Sequence, residues 1–214
     1  VLKESGLFTF ILKGAKKLSG KNNKLTMPFL KAEFIYEKKE YKTIASLQKG
    51  SLIENYYRKE DLLKLSGLEV IADITLKIGD DYNIYEEVKQ SFEAALEYPL
   101  PLVCALYMAR VSKLLGFNPI IDGCVICSNP KVVAISNSDG GFLCERHALN
   151  KPKSPVKSLR NFRLINKADF KDLKVLKEYD YDKNDFILEA EFFFYHADFK
   201  IKSYPFFKSL LNMF

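Results

Sequence analysis

The chain has 214 residues, 33 basic and 27 acidic side chains, a formal charge of +6, four cysteines and two histidines. At 48% apolar and 28% charged it is globular, which excludes a disordered or collagen-like chain. The longest uncharged run, residues 98–109, falls well short of the roughly 20 residues a membrane span needs, and the first apolar stretch is too short for a signal peptide. With no initiator methionine, Val1 reads as the start of a fragment or of the ordered part of a longer chain.

The charge is unevenly placed. Residues 1–42 carry ten lysines and four glutamates, which accounts for the whole surplus, whereas residues 43–214 hold 23 groups of each sign. A basic segment joined to a neutral remainder predicts two domains, at 1–52 and 53–214. The first reads as β-structure. Residues 7–12 form a run of β-formers, and two further strands are expected at 29–37 and 41–48, joined by the polar turn Glu37-Lys38-Lys39-Glu40. Three short strands suggest a small sheet or barrel, from which a strand or two before Val1 is expected to be missing.

From about residue 58 the apolar period becomes helical, through Leu62, Leu65, Leu68, Ile71 and Ile74. A second helix is expected at 83–97 and a third at 102–115, opened by Pro99 and Pro101 and ended by Gly116. An irregular stretch follows at 117–150, with a strand-like segment at 131–136. After a loop containing Pro152 and Pro155, helices are expected at 167–178, 185–197 and 203–213. The fold class is therefore α+β: a small basic β module, then a mostly helical domain with a cysteine-rich insert at 118–150.

That insert carries the sharpest motif. Cys124-x-x-Cys127, sixteen residues, then Cys144-x-x-His147 provides two short chelating loops, and each two-residue spacer lets one tight turn aim both donors at a single ion. Four nitrogen or sulfur donors match a tetrahedral Zn2+ site, one per chain. With every position filled, and no His-x-Glu partner of the kind a nucleobase deaminase requires, the metal reads as structural and an enzyme is not expected. Cys104 reads as a buried thiol of the third helix, and His196 as a packed or surface histidine.

Lys13, Lys16, Lys17, Lys21 and Lys24 cluster in the basic segment, with Phe8, Phe10 and Phe29 nearby. Ammonium groups on a β-surface with aromatic neighbours suit nucleic acid, since cations neutralise phosphates and rings stack on unpaired bases. The alternative is a solvated basic face with the rings in a small core. The preference for lysine over arginine, 28 to 5, points away from base-specific readout.

Taken in order, these pieces resemble the bacterial RecO family. Residues 10–17 (Phe-Ile-Leu-Lys-Gly-Ala-Lys-Lys), then Ser19, Lys21, Leu25 and Pro28-Phe29, are similar to its KGARK signature. Leu114-Leu115-Gly116-Phe117-Asn118-Pro119 leading into Cys124 and Cys127 resembles its first knuckle, Gly140-Gly141-Phe142-Leu143-Cys144 its second, and residues 196–203 its C-terminal tail. The fourth ligand, often Cys in the family, is His147 here, an acceptable exchange for zinc.

The resemblance implies an N-terminal OB-like β-barrel lacking its first strands, followed by a helical domain with a zinc finger. It also implies a cytoplasmic, nucleoid-associated, non-catalytic recombination mediator. Such proteins bind single- and double-stranded DNA without sequence preference, anneal complementary strands, and with RecR help load RecA onto DNA coated by SSB, whose acidic C-terminal tail they contact. No membrane partner is implied. The alternative is a zinc-stapled protein-interaction adaptor with no direct DNA role.

Overall fold

In the computed structural model the described residues are 1–12, 23–37, 44–57, 61–79 and 82–213. The fold is α+β. The β module opens with a two-stranded antiparallel sheet of β1 (Leu2–Lys3) and β2 (Gly6–Leu7). Next to it lies a three-stranded sheet in the order β3 (Phe10–Ile11), β5 (Ala45–Asn55), β4 (Leu30–Glu37). β4 and β5 are antiparallel with two register shifts, and β3 joins β5 in parallel. The expected first strand, 7–12, is thus two short pieces, because the chain changes partner between Leu7 and Phe10. The third strand runs on to Asn55, beyond its expected end at 48.

The helical body begins at α1 (Leu62–Ile78), whose N-cap Asp61 accepts from the Lys64 N–H at 2.8 Å. After α2 (Tyr85–Ala94) comes α3 (Leu100–Leu115), the central helix, with an unbroken buried run from Leu102 to Ala109. It stops at Gly116, whose φ of +83° is the left-handed cap that glycine adopts without strain. Cys104 lies fully buried in this helix, its thiol donating to the Gly67 carbonyl at 3.5 Å, and burial pushes its pKa up.

The C-terminal region corrects two expectations. The loop expected around Pro152 and Pro155 ends earlier than the expected helix start at 167: residues 156–167 form α4 (Val156–Lys167), with Pro155 at its N-cap. The helix expected at 167–178 is instead a 3-10 turn (Phe170–Asp172) and the single turn α5 (Leu173–Leu176). Ala168 is extended, and Asp169 restarts the chain through a reciprocal capping box with Asp172. α6 (Lys183–His196) opens on a second capping box, Asp182 with Asp185, and α7 (Ser203–Leu211) packs along α1, where Asp73 accepts from the Ser203 hydroxyl at 2.8 Å.

The β module and the body share apolar contacts. Phe29 meets Tyr57 and Phe92 edge-on, Tyr56 packs on Phe92, and Lys31 pairs with Glu93 at 3.2 Å. Beside this seam lies a cavity of about 430 Å³, lined by Leu7, Phe10, Phe34, Leu76 and Val88. Among the described residues no helix is long and apolar enough to cross a membrane.

Candidate metal centre

The insert is built on a hairpin of β6 (Val132–Ser136) and β7 (Gly141–Cys144). Ahead of it, Ile120 pairs in parallel with Gly141: Ile120 N–H donates to Gly140 O at 2.9 Å, and Phe142 N–H to Ile120 O at 3.0 Å. A Cβ on Gly141 would fall 2.2 Å from the Ile120 oxygen, so only glycine permits this approach. The bridge fixes where the chain enters the first knuckle.

There Cys124 N–H donates to Asn129 O at 2.9 Å and Ser128 N–H to Cys124 O at 2.8 Å, closing a tight loop around both thiols. The second knuckle starts at the end of β7, where Cys144 O accepts from the N–H groups of His147 and Ala148, each at 3.0 Å. The four side chains predicted as ligands are brought together. Their ligating atoms all lie within 4.8 Å of one another. Cys124 Sγ is 3.3 Å from His147 Nδ1, Cys144 Sγ is 3.4 Å from the same nitrogen, and Cys127 Sγ is 3.7 Å from Cys144 Sγ.

These separations fit one ion. A tetrahedral zinc about 2.3 Å from sulfur and about 2.0 Å from nitrogen spaces its ligands about 3.5–3.8 Å apart. The Cys124 thiol is also prepared for binding. Burial pushes its pKa up, but backbone hydrogen bonds from Cys144, Ile126 and Cys127 and the His147 ring pull it down to about 6. Cys124 and Cys144 are buried, His147 is half-buried and Cys127 is exposed. Zinc bound here would hold the two knuckles together as a structural crosslink.

A group of small side chains surrounds the centre: Ala134, Leu143 and Ala148, with Val125 and Val133 partly buried against them. On the side facing the helical body the side chains are large. Ile121 and Phe142 cluster with Leu159 and Phe162 of α4 and Phe192 of α6. Arg163 donates Nε–H to Ile121 O at 2.8 Å and lays its guanidinium 5.0 Å from the Phe142 ring centre. His196 packs against Phe117 and Phe192 and donates Nε2–H to Asn137 O at 2.9 Å. It is a packed histidine, as expected, that also ties the insert to α6. Sequence reading missed Arg163 because it missed α4, although Leu159, Phe162 and Ile165 at three-residue steps after Pro155 carried the signal.

Of the lysines expected to contact DNA, Lys13, Lys16, Lys17 and Lys21 lie outside the described residues. Lys24 is described, exposed on the 3-10 turn Asn23–Thr26. Among the nearby rings, Phe29 is in the seam with the body and Phe10 packs on Phe34 at 5.0 Å, so both serve packing. Phe8, half-buried like the other two, packs on Tyr36 at 4.5 Å, with the Lys3 ammonium 4.6 Å from its ring centre.

The family described as Recombination protein O C terminal matches residues 59–185, more than half of the chain. A DNA repair protein RecO from Oceanobacillus iheyensis is 28% identical over 179 residues, covering 79% of this chain and 67% of that protein. Proteins of the same name from Bacillus mycoides and Bacillus cytotoxicus are each 27% identical over 157 residues, covering 70% of this chain and 62% of theirs. The chain thus spans 62–67% of the length of these relatives. With α1 to α5, the first three residues of α6 and all four clustered donors inside the matched region, the chain belongs to the Recombination protein O family.

Proposed function

We propose that this protein serves DNA repair as a non-catalytic recombination mediator. It binds single- and double-stranded DNA without sequence preference and anneals complementary strands. With RecR it helps load RecA onto DNA coated by SSB, contacting the C-terminal tail of SSB. The reading places it in the cytoplasm, associated with the nucleoid. The observation that carries it is the family match across residues 59–185, with relatives that bear the name DNA repair protein.

The chemistry is consistent with that role. Annealing forms no covalent bond; it needs phosphate repulsion screened while bases stay free to pair, and lysine ammoniums do this without reading sequence. The excess of cations lies in residues 1–42, which makes Lys13, Lys16, Lys17, Lys21 and Lys24 the proposed phosphate contacts. A structural zinc held by Cys124, Cys127, Cys144 and His147 supplies folding free energy and no reaction step.

The test is a salt titration of DNA binding by the full chain and by Lys16→Glu with Lys17→Glu. Removing one lysine–phosphate interaction lowers the slope of log K against log salt by about 0.9 on duplex or about 0.7 on single strands. The double variant is expected to bind more weakly with a shallower slope. Unchanged affinity and slope would remove these lysines from the interface.

A further inference from the structure

The four donors of the metal centre are not equally protected. Cys124 and Cys144 are 1% and 3% exposed, whereas Cys127 sits in the open on the outer turn of the first knuckle. Its sulfur lies 3.7 Å from Cys144 Sγ, across the two knuckles, and the His147 ring flanks both buried sulfurs, 3.3 Å from Cys124 Sγ and 3.4 Å from Cys144 Sγ. One reachable sulfur, next to a second that solvent cannot reach, is the arrangement of an attacked thiol and a resolving thiol.

We propose that Cys127 is an oxidation site for hydrogen peroxide or a small organic hydroperoxide, resolved by Cys144, so that oxidation exchanges the bound metal for a Cys127–Cys144 disulfide. The proposal rests on the zinc reading above. In the first step the Cys127 thiolate sulfur attacks one peroxide oxygen. The O–O bond breaks, the other oxygen leaves as water (or as the alcohol of an organic hydroperoxide) after taking a proton, and Cys127 becomes a sulfenic acid. In the second, the Cys144 thiolate attacks that sulfur. The S–S bond forms, the S–O bond breaks, and hydroxide leaves as water with a second proton. The two thiolates lose two electrons and the peroxide gains them. Only Cys124 and His147 then remain as ligands, and the ion departs.

The surrounding structure limits the consequence. The inner half of the insert is held without the metal, by Phe142 and Ile121 against Phe162 and Phe192 and by His196 on Asn137. Oxidation therefore loosens the outer knuckles and leaves the hairpin docked, which permits reversal by a thiol reductant in the presence of zinc. Cys104, fully buried in α3, stays reduced throughout and acts as an internal reference thiol.

The experiment uses the full chain purified without chelator, its zinc content measured first. It is then titrated with hydrogen peroxide while released zinc is followed with a metallochromic dye, free thiols are counted after denaturation, and crosslinked peptides are identified by mass spectrometry. The expected result is one zinc released per chain, two thiols consumed, and a Cys127–Cys144 crosslink that dithiothreitol with added zinc reverses. Protein that carries no zinc before peroxide is added overturns the zinc reading and this proposal with it. Zinc present and retained, or released with a Cys124–Cys127 crosslink, overturns the proposal and leaves the zinc reading standing.

Discussion

The helical body and the outer half of the insert solve the same problem by different means. In the body, Leu68, Ile71, Ile74, Leu102, Leu106, Tyr107, Phe186, Phe193 and Phe207 are buried almost completely, in one continuous core. Full burial of each such side chain contributes about 1.5–3 kcal/mol, so the body is ordered by packing. Around the metal centre the buried side chains are Ala134, Leu143 and Ala148 with the two cysteines. That is too little apolar surface to order two loops. A metal crosslink would do there what packing does in the body, and the boundary between the two regions is the Phe142–Phe162–Phe192 cluster.

The largest expected effect comes from breaking the crosslink. Metal binding to small zinc modules is worth about 10–16 kcal/mol at neutral pH, so Cys124→Ser should abolish stoichiometric zinc and unfold the knuckles. Hydrogen exchange should then show weaker protection between residues 123 and 148 with α1, α3 and α6 still protected. Equal weakening in both regions would erase the distinction.

Next in size is the boundary cluster. Phe192→Ala removes a fully buried ring touching Phe162 and His196, at a cost of about 3–5 kcal/mol. Chemical denaturation should show that loss while zinc content stays at one per chain. Loss of zinc with the ring would mean that the centre depends on the body's packing.

A smaller effect sharpens the body's side of the comparison. Glu189 of α6 is wholly buried, one oxygen accepting from Asn166 Nδ2 at 2.8 Å and the other without a partner. Burial raises its pKa from 4.5 to about 8, only partly opposed by the Asn166 hydrogen bond. The folded state therefore keeps a proton that the unfolded chain gives up. The stability this group contributes is full below pH 4.5 and is lost as pH rises toward about 8. Glu189→Gln should gain about 1–3 kcal/mol over the parent near the upper end of that window and lose the advantage at the lower end. Equal stabilities at every pH would contradict a buried neutral carboxyl.

What could be read from the sequence follows the range of the interactions. The clustering of four donors was legible because Cys124, Cys127, Cys144 and His147 state their chemistry in two short loops, and α3 was legible because Gly116 marks its end. α4 was hidden by Pro152 and Pro155, which read as loop residues, although Pro155 stands where a proline begins a helix. The split of 167–178 turned on one capping pair, Asp169 with Asp172, that apolar periodicity does not register. The docking of the insert was not legible at all. Phe142 on Phe162 and Phe192, and His196 on Asn137, join residues that only the tertiary fold brings together. Charge position separated a basic segment from a neutral remainder, but four of the five lysines it singled out lie outside the described residues.

The most direct test of the mediator role is annealing of two complementary single strands, each coated with SSB, by the full chain. Duplex is expected to form faster with the protein than without it, with a gain that fades as salt rises and that Lys16→Glu with Lys17→Glu reduces. Duplex formation at the same rate with and without the protein, at low salt and with zinc bound, would contradict that role.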